Sequence, residues 1–158
     1  MNESFEELFE NANDELKRVD HLIYVSLKYT RTCDIFKNIF ERLISALDFS
    51  FLAVLQLLHD QGKVMEVPGQ PGSKCNLLKE YYANEKDANE KVAGIVDFYL
   101  KMRQINRTDF SRDREYRRHV TMTIALPDET ITITIDNITD YFRTTREGVE
   151  YLKTVVTP

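Results

Sequence analysis

Four residues separate Arg114 from His119 in the run Arg114-Glu115-Tyr116-Arg117-Arg118-His119. An arginine guanidinium is a planar fork that matches the oxygens of a phosphate. A histidine carries a proton on and off near neutral pH. Together they could meet a phosphate and move a proton beside it. The surroundings favour an anion. Between Lys101 and His119, seven Lys and Arg face three acids, a charge of +4 in a chain of net −5, so the rest of the chain carries −9. An island of one sign on a body of the other marks a place where an oppositely charged ligand is met. Arg112, Arg117 and Arg118 are candidate phosphate contacts, and Tyr116, with Phe110, offers a ring on which a base could stack.

The Arg-x4-His spacing resembles the Arg-x(4–6)-His signature of HEPN-domain proteins, compact helical bundles that often form dimers. The resemblance covers six residues of motif, Arg114 to His119, and a helical pattern over the first two-thirds of the chain. It implies metal-independent RNA cleavage, with Arg114 and His119 as the catalytic pair. It also implies a homodimer in which two copies of the motif face each other. In that family an Asn, Asp or His usually follows the arginine, where this chain has Glu115, and the motif lies on a helix. Here β-type alternation begins at Val120, which puts His119 at a junction.

The residues also admit a reading without chemistry. Arg112, Arg114, Arg117 and Arg118 could form a solvated connection, paired with Asp113, Glu115 and the acidic face of the first helix. The protein would then be a non-catalytic helical interaction module whose partner the sequence does not name. Between these readings lies a phosphate-binding patch that does not cleave, or one that takes a small anionic ligand.

Other chemistries lack their residues. There is no glycine-rich phosphate loop, no Gly-x-Ser-x-Gly and no His-Glu-x-x-His, and neither Asp nor Glu follows a calcium-loop pattern. His21 and His59 have no His or Cys at helical spacing and read as core or boundary residues, so no metal and no cofactor is expected. Cys33 and Cys75 make no disulfide framework and read as buried thiols of a reducing compartment. The N-terminal run is acidic, with neither a basic nor an apolar leader region. The most apolar stretch, Phe49 to Leu58, is shorter than the roughly 18 residues of a membrane span. A cytoplasmic protein without a membrane partner is expected.

The elements that must position the pair are mainly helical. A length of 158 residues suits one domain with a real core. Ser4-x-x-Glu7 is a capping box, and Phe5, Leu8, Phe9, Ala12, Leu16, Val19 and Ile23 continue a helix towards Tyr29. A second helix, from about Cys33 to Gln61 with Gly62 as its stop, would be roughly 40 Å long. Its Phe49–Leu58 stretch is apolar on nearly every side, so it must lie at the centre of a bundle, in a subunit interface, or both. Lys63 to Lys74 reads as a loop, 76–84 as a short helix, and Asp87-x-x-Glu90 as the cap of a helix ending near Arg107. This makes 1–107 a helical bundle and 108–119 a basic connection. Residues 120–136 alternate as a β-hairpin turning at Pro127-Asp128-Glu129, and 137–156 form a last helix opened by Asn137-x-x-Asp140. The expected fold is mainly α (α+β), an antiparallel helical bundle followed by a β-hairpin and a C-terminal helix, with a homodimer through the second helix, the hairpin or both.

Overall fold

Ser4 opens the chain's first helix as its spacing predicts. In the computed structural model, which describes residues 4–156, the Ser4 hydroxyl accepts from the Glu7 amide at 3.1 Å, and the Glu7 carboxylate accepts from the Ser4 amide at 3.3 Å. The first three residues of the acidic N-terminal run lie outside the described residues. Helix α1 (Phe5–His21) passes through one π-helical turn, Leu22–Ser26, into the short α2 (Leu27–Tyr29). Leu8, Phe9, Ala12, Leu16, Val19, Ile23 and Leu27 form the buried face of this unit. The wider turn accommodates one more residue than an α-turn does, and Tyr24 and Val25 there are exposed.

Helix α3 (Cys33–Asp60, 28 residues) is the axis of the fold. It packs against α1 along much of its length, and against α4 (Pro71–Tyr82), α5 (Ala88–Arg107) and α6 (Ile135–Val155). Phe36, Phe40, Phe51, Val54 and Leu55 are buried, and Phe49 and Leu52 pack partly covered against the same core. The all-round apolar stretch is therefore largely covered within one chain. As a whole, α3 is long and apolar enough to cross a membrane, which counting only Phe49–Leu58 misses. Burial along the axis of the bundle accounts for that composition. Its C-terminus closes on Gly62, whose left-handed φ of 73° lets Gly62 donate to His59 at 2.9 Å and Lys63 to Leu58 at 2.8 Å. That pair of bonds satisfies two carbonyls of the last turn.

Four boundaries differ from the sequence reading, each for a local reason. Helix α4 starts at Pro71 rather than near Asn76, because a proline at the first helical position loses no hydrogen bond and has the right φ. Asp87 precedes α5 but makes no side-chain cap. Its φ of 65° and ψ of −52° form a tight γ-turn, closed by the Ala88 amide on the Lys86 carbonyl at 2.6 Å. Part of the basic connection is a strand, β1 (Phe110–Asp113), so the expected hairpin is the second half of a three-stranded sheet. Helix α6 begins earlier than Asn137 suggested. Thr134 is its N-cap and Asn137 closes the box, accepting from the Thr134 amide at 2.6 Å.

The sheet is antiparallel in the order β1-β2-β3, with β2 at Thr121–Ala125 and β3 at Thr130–Ile133. Asp113 stands opposite Thr121, and Met122 opposite Ile133. Met122, Ile124 and Ile133 are buried with Val120, as the alternation requires, while the threonines Thr130 and Thr132 face outward. Acidic side chains are also held against the interior of the bundle, in addition to the buried Thr32, Ser50 and Thr145. Glu15 on α1, 5% exposed, accepts from Arg18 at 2.5 Å and from Arg42 at 3.3 Å. Asp48 on α3 accepts from the hydroxyl of the fully buried Tyr99. Desolvation holds the Asp48 carboxyl above its ordinary range, against the opposing pull of Tyr99, Arg103 and Lys74.

Candidate functional site

The connection from β1 to β2 is set by two consecutive turns. Arg117 donates to the Arg114 carbonyl at 3.2 Å and Val120 to the Arg117 carbonyl at 3.1 Å. Arg114 and Tyr116 both have left-handed backbones, with φ of 54° and 66°, a strained conformation for side chains of this size. Two bonds to the α2–α3 junction hold the loop there. The Tyr116 amide donates to the Arg31 carbonyl at 2.6 Å, and the Glu115 carboxylate accepts from the Cys33 amide at 3.1 Å. Cys33 begins α3, where helical amides have no partner of their own, so Glu115 caps that helix from a distant part of the chain.

This folding brings Arg114, Arg118 and His119 to one open pocket of about 500 Å³, with Arg31 and Thr121 also on its walls. The remaining wall is the start of α6: Thr134, Ile135 and Asp136. A helix of 21 residues presents the positive end of its dipole at that point. Three arginines, a histidine and the start of α6 therefore line one cavity whose single acidic lining residue is Asp136. The Nε of Arg31 is buried and has no hydrogen-bond partner. His119 is exposed, and its carbonyl accepts from the Thr121 hydroxyl at 2.8 Å. An arrangement of this kind can bind a phosphate, sulfate or carboxylate and offer it a proton carrier.

The other sequence candidates divide. Arg112 turns away from the pocket lining: it donates to Asp34 at 2.8 Å and to Glu115 at 3.4 Å, with its guanidinium 4.9 Å from the Phe110 ring. Phe110, proposed for stacking, is thus covered by Arg112, with Lys37 also over the ring. The solvated reading's pairs with Glu115 and Asp113 are present, for Arg112 and Arg114 respectively, while the further partner of Arg112 is Asp34 on α3 rather than the acidic face of α1. Arg114 lies 3.7 Å from Asp113, both well exposed, a contact that solvent makes weak. Arg117 and Tyr116 are exposed beside the pocket rather than on its lining.

Sequence reasoning missed Arg31, Thr134 and the N-terminus of α6. Thr134-x-x-Asn137 is a recognisable capping pattern that would have placed the helix start correctly. Nothing in the sequence around Arg31 signals its place. The six motif residues lie on bends and turns, not on a helix.

Elsewhere the site chemistry is sparse. No cluster of metal-ligating side chains occurs among the described residues. His21 and His59 are exposed, and His59 Nδ1 lies 3.3 Å from the Val64 carbonyl. Both thiols are buried, and burial first, then Glu115, pushes Cys33 up to about 11, which removes it as a nucleophile at neutral pH. No family model, characterised protein or solved structure matches this chain.

Proposed function

We propose that the protein binds RNA through a phosphate held in the Arg31–Arg114–Arg118–His119 pocket and cleaves it without a metal, in the manner of the HEPN-like reading. The observation that carries this is the convergence of three arginines and His119 on one open cavity at the positive end of α6. In the step envisaged, the ribose 2′-oxygen attacks phosphorus as its proton leaves. The bond to the 5′-oxygen breaks, that oxygen takes up a proton, and a cyclic phosphate and a free 5′-hydroxyl result. In this reading His119 handles one of these protons, and Asp136, which also lines the pocket, would exchange the other. Arg114, with Arg31 and Arg118, stabilises the charge that builds on the phosphate oxygens. A homodimer that sets two such pockets face to face belongs to the same reading.

The test is cleavage of labelled mixed-sequence RNA in EDTA by the wild-type protein and by His119→Ala. Metal-independent cleavage that disappears in the variant, with the helical signature intact, is the expected result. Equal cleavage by both proteins sinks the assignment. A second reading, a non-catalytic protein-interaction module, is favoured by the engagement of Arg112 within the chain and by the exposed Tyr24 and Val25 on the π-helical turn. Absence of both cleavage and salt-sensitive RNA binding would select it.

A further inference from the structure

We infer that the strand bound at this pocket is single-stranded, and that Tyr29 and Tyr116 form a pair of stacking platforms that read its unpaired bases. The inference rests on the phosphate-binding reading above and narrows its substrate class. Tyr29 and Tyr116 are 78% and 77% exposed, the highest values among the exposed aromatic rings of the described residues. Among the described residues, neither ring packs on another ring or a cation. Both belong to the same small structure. Tyr29 is two residues before Arg31, and Tyr116 two residues after Arg114, so each arm carries one tyrosine and one pocket arginine. The Tyr116 amide on the Arg31 carbonyl joins the arms. With 3.8 Å between successive Cα atoms, the Cα atoms of the two tyrosines lie within roughly 14 Å of each other. A short stretch of single strand spans that distance.

The left-handed backbone of Tyr116 supports the same conclusion. Folding holds a bulky residue in a costly conformation, with its side chain out in solvent. Strain of this kind persists where the surrounding structure enforces it, and it concentrates at functional positions. Bases inside a duplex have their faces covered by their neighbours, whereas unpaired bases can leave the stack and lie on tyrosine. The pocket arginines next to each tyrosine in the chain supply the phosphate contacts that a strand needs between successive bases. A protein surface could also use exposed tyrosines, but the adjoining cavity is cationic and polar, which matches a phosphodiester chain better than an apolar partner.

The experiment compares three probes by fluorescence anisotropy and competition: a short single-stranded RNA of mixed sequence, a duplex of the same length, and inorganic polyphosphate, which has phosphates but no bases. The proteins are wild type, the double variant Tyr29→Ala with Tyr116→Ala, and the matching double phenylalanine variant. The expected result is preference of the wild type for the single strand over the duplex. The alanine double variant should lose about tenfold or more of single-strand affinity, and phenylalanine should restore it. Polyphosphate binding and the salt dependence should be unchanged in both variants. Unchanged single-strand binding in the alanine variant, with polyphosphate still bound, overturns this inference alone and leaves the two rings to a protein partner. Equal binding of duplex and single strand also overturns it. Failure of all three probes to bind the wild type overturns the phosphate reading on which it rests.

Discussion

The carboxylate of Glu115 reaches the backbone amide of Cys33 at 3.1 Å and caps a helix that begins far away in the chain. The same carboxylate accepts from Arg112 at 3.4 Å. At the anion site proposed above, an acid beside Arg114 looks like an obstacle. Its bonds show a different role: it fastens the basic loop to the start of α3 and so sets where Arg114 and His119 stand.

Glu115→Ala therefore separates two effects. If Glu115 acted only as a negative charge, its removal would tighten anion binding. As a fastening, its removal should weaken polyphosphate or RNA binding, and lower stability by about 1 kcal/mol, the usual cost of a lost cap. Titration of binding alongside a urea melt reads both, and tighter binding by the variant would refute the positioning role.

Arg31→Ala should weaken anion binding as strongly as Arg114→Ala, although only Arg114 belongs to the sequence motif. Each should also reduce the slope of log affinity against log salt by about one. Arg112→Ala should have a smaller effect on binding, since Arg112 is engaged with Asp34 and Glu115. A salt series on the three variants decides the order. Arg31→Ala behaving as wild type would remove Arg31 from the site.

The pH dependence of stability has a defined sign at Asp48. Its carboxyl titrates above the ordinary value of 3.8, chiefly because it is buried. Between 3.8 and that raised value the folded state binds more protons than the unfolded state. Asp48 therefore costs stability as pH rises through this window, and the cost persists above it. Asp48→Asn keeps an oxygen for the Tyr99 hydroxyl but carries no charge. Compared with wild type, the variant should be relatively more stable at neutral pH than near pH ~4. Thermal melts over that range test it, and a difference that does not change with pH would contradict the assignment.

Asp87→Gly should stabilise the fold by roughly 1 kcal/mol, because glycine reaches the positive φ of this γ-turn without the clash of a Cβ. For a chain of this size that is a rise in Tm of about 2–4 °C. A calorimetric scan checks it, and a lower Tm would show that the Asp87 side chain contributes more than its backbone costs.

The helices were legible because their signals are local. Ser4 and Glu7, Gly62, and the three- and four-residue steps of Leu8 to Ile23 each act within one or two turns. Alternation from Val120 onward likewise identified the buried face of β2. Strand β1 was not legible, since Phe110-Ser-Arg-Asp113 has one partly covered side chain and otherwise faces solvent. Its pairing to β2 makes it a strand. Pro71-Gly72 was ambiguous, because the same dipeptide suits a turn or the first turn of a helix, and only the packing of α4 on α3 and α5 decides. In the pocket, the spacing of Arg114 and His119 was visible, and so was the excess of charge. Arg31 and the N-terminus of α6 were not, since they meet the motif only through long-range closure. The fate of Arg112 was equally hidden, because its partner Asp34 lies on α3.

The pocket draws on residues 31, 114–121 and 134–136, three stretches near the two ends and the later middle of the chain. A chain emerging from the ribosome can form α1 and α3 early, from contacts that are local or nearly so. The pocket is incomplete until the first turn of α6 has been made and has docked. A proteolytic fragment ending before Thr134 would keep the long central helix and lose one wall of the cavity. Under the proposed reading, binding at this site would therefore report that the start of α6 has formed and docked.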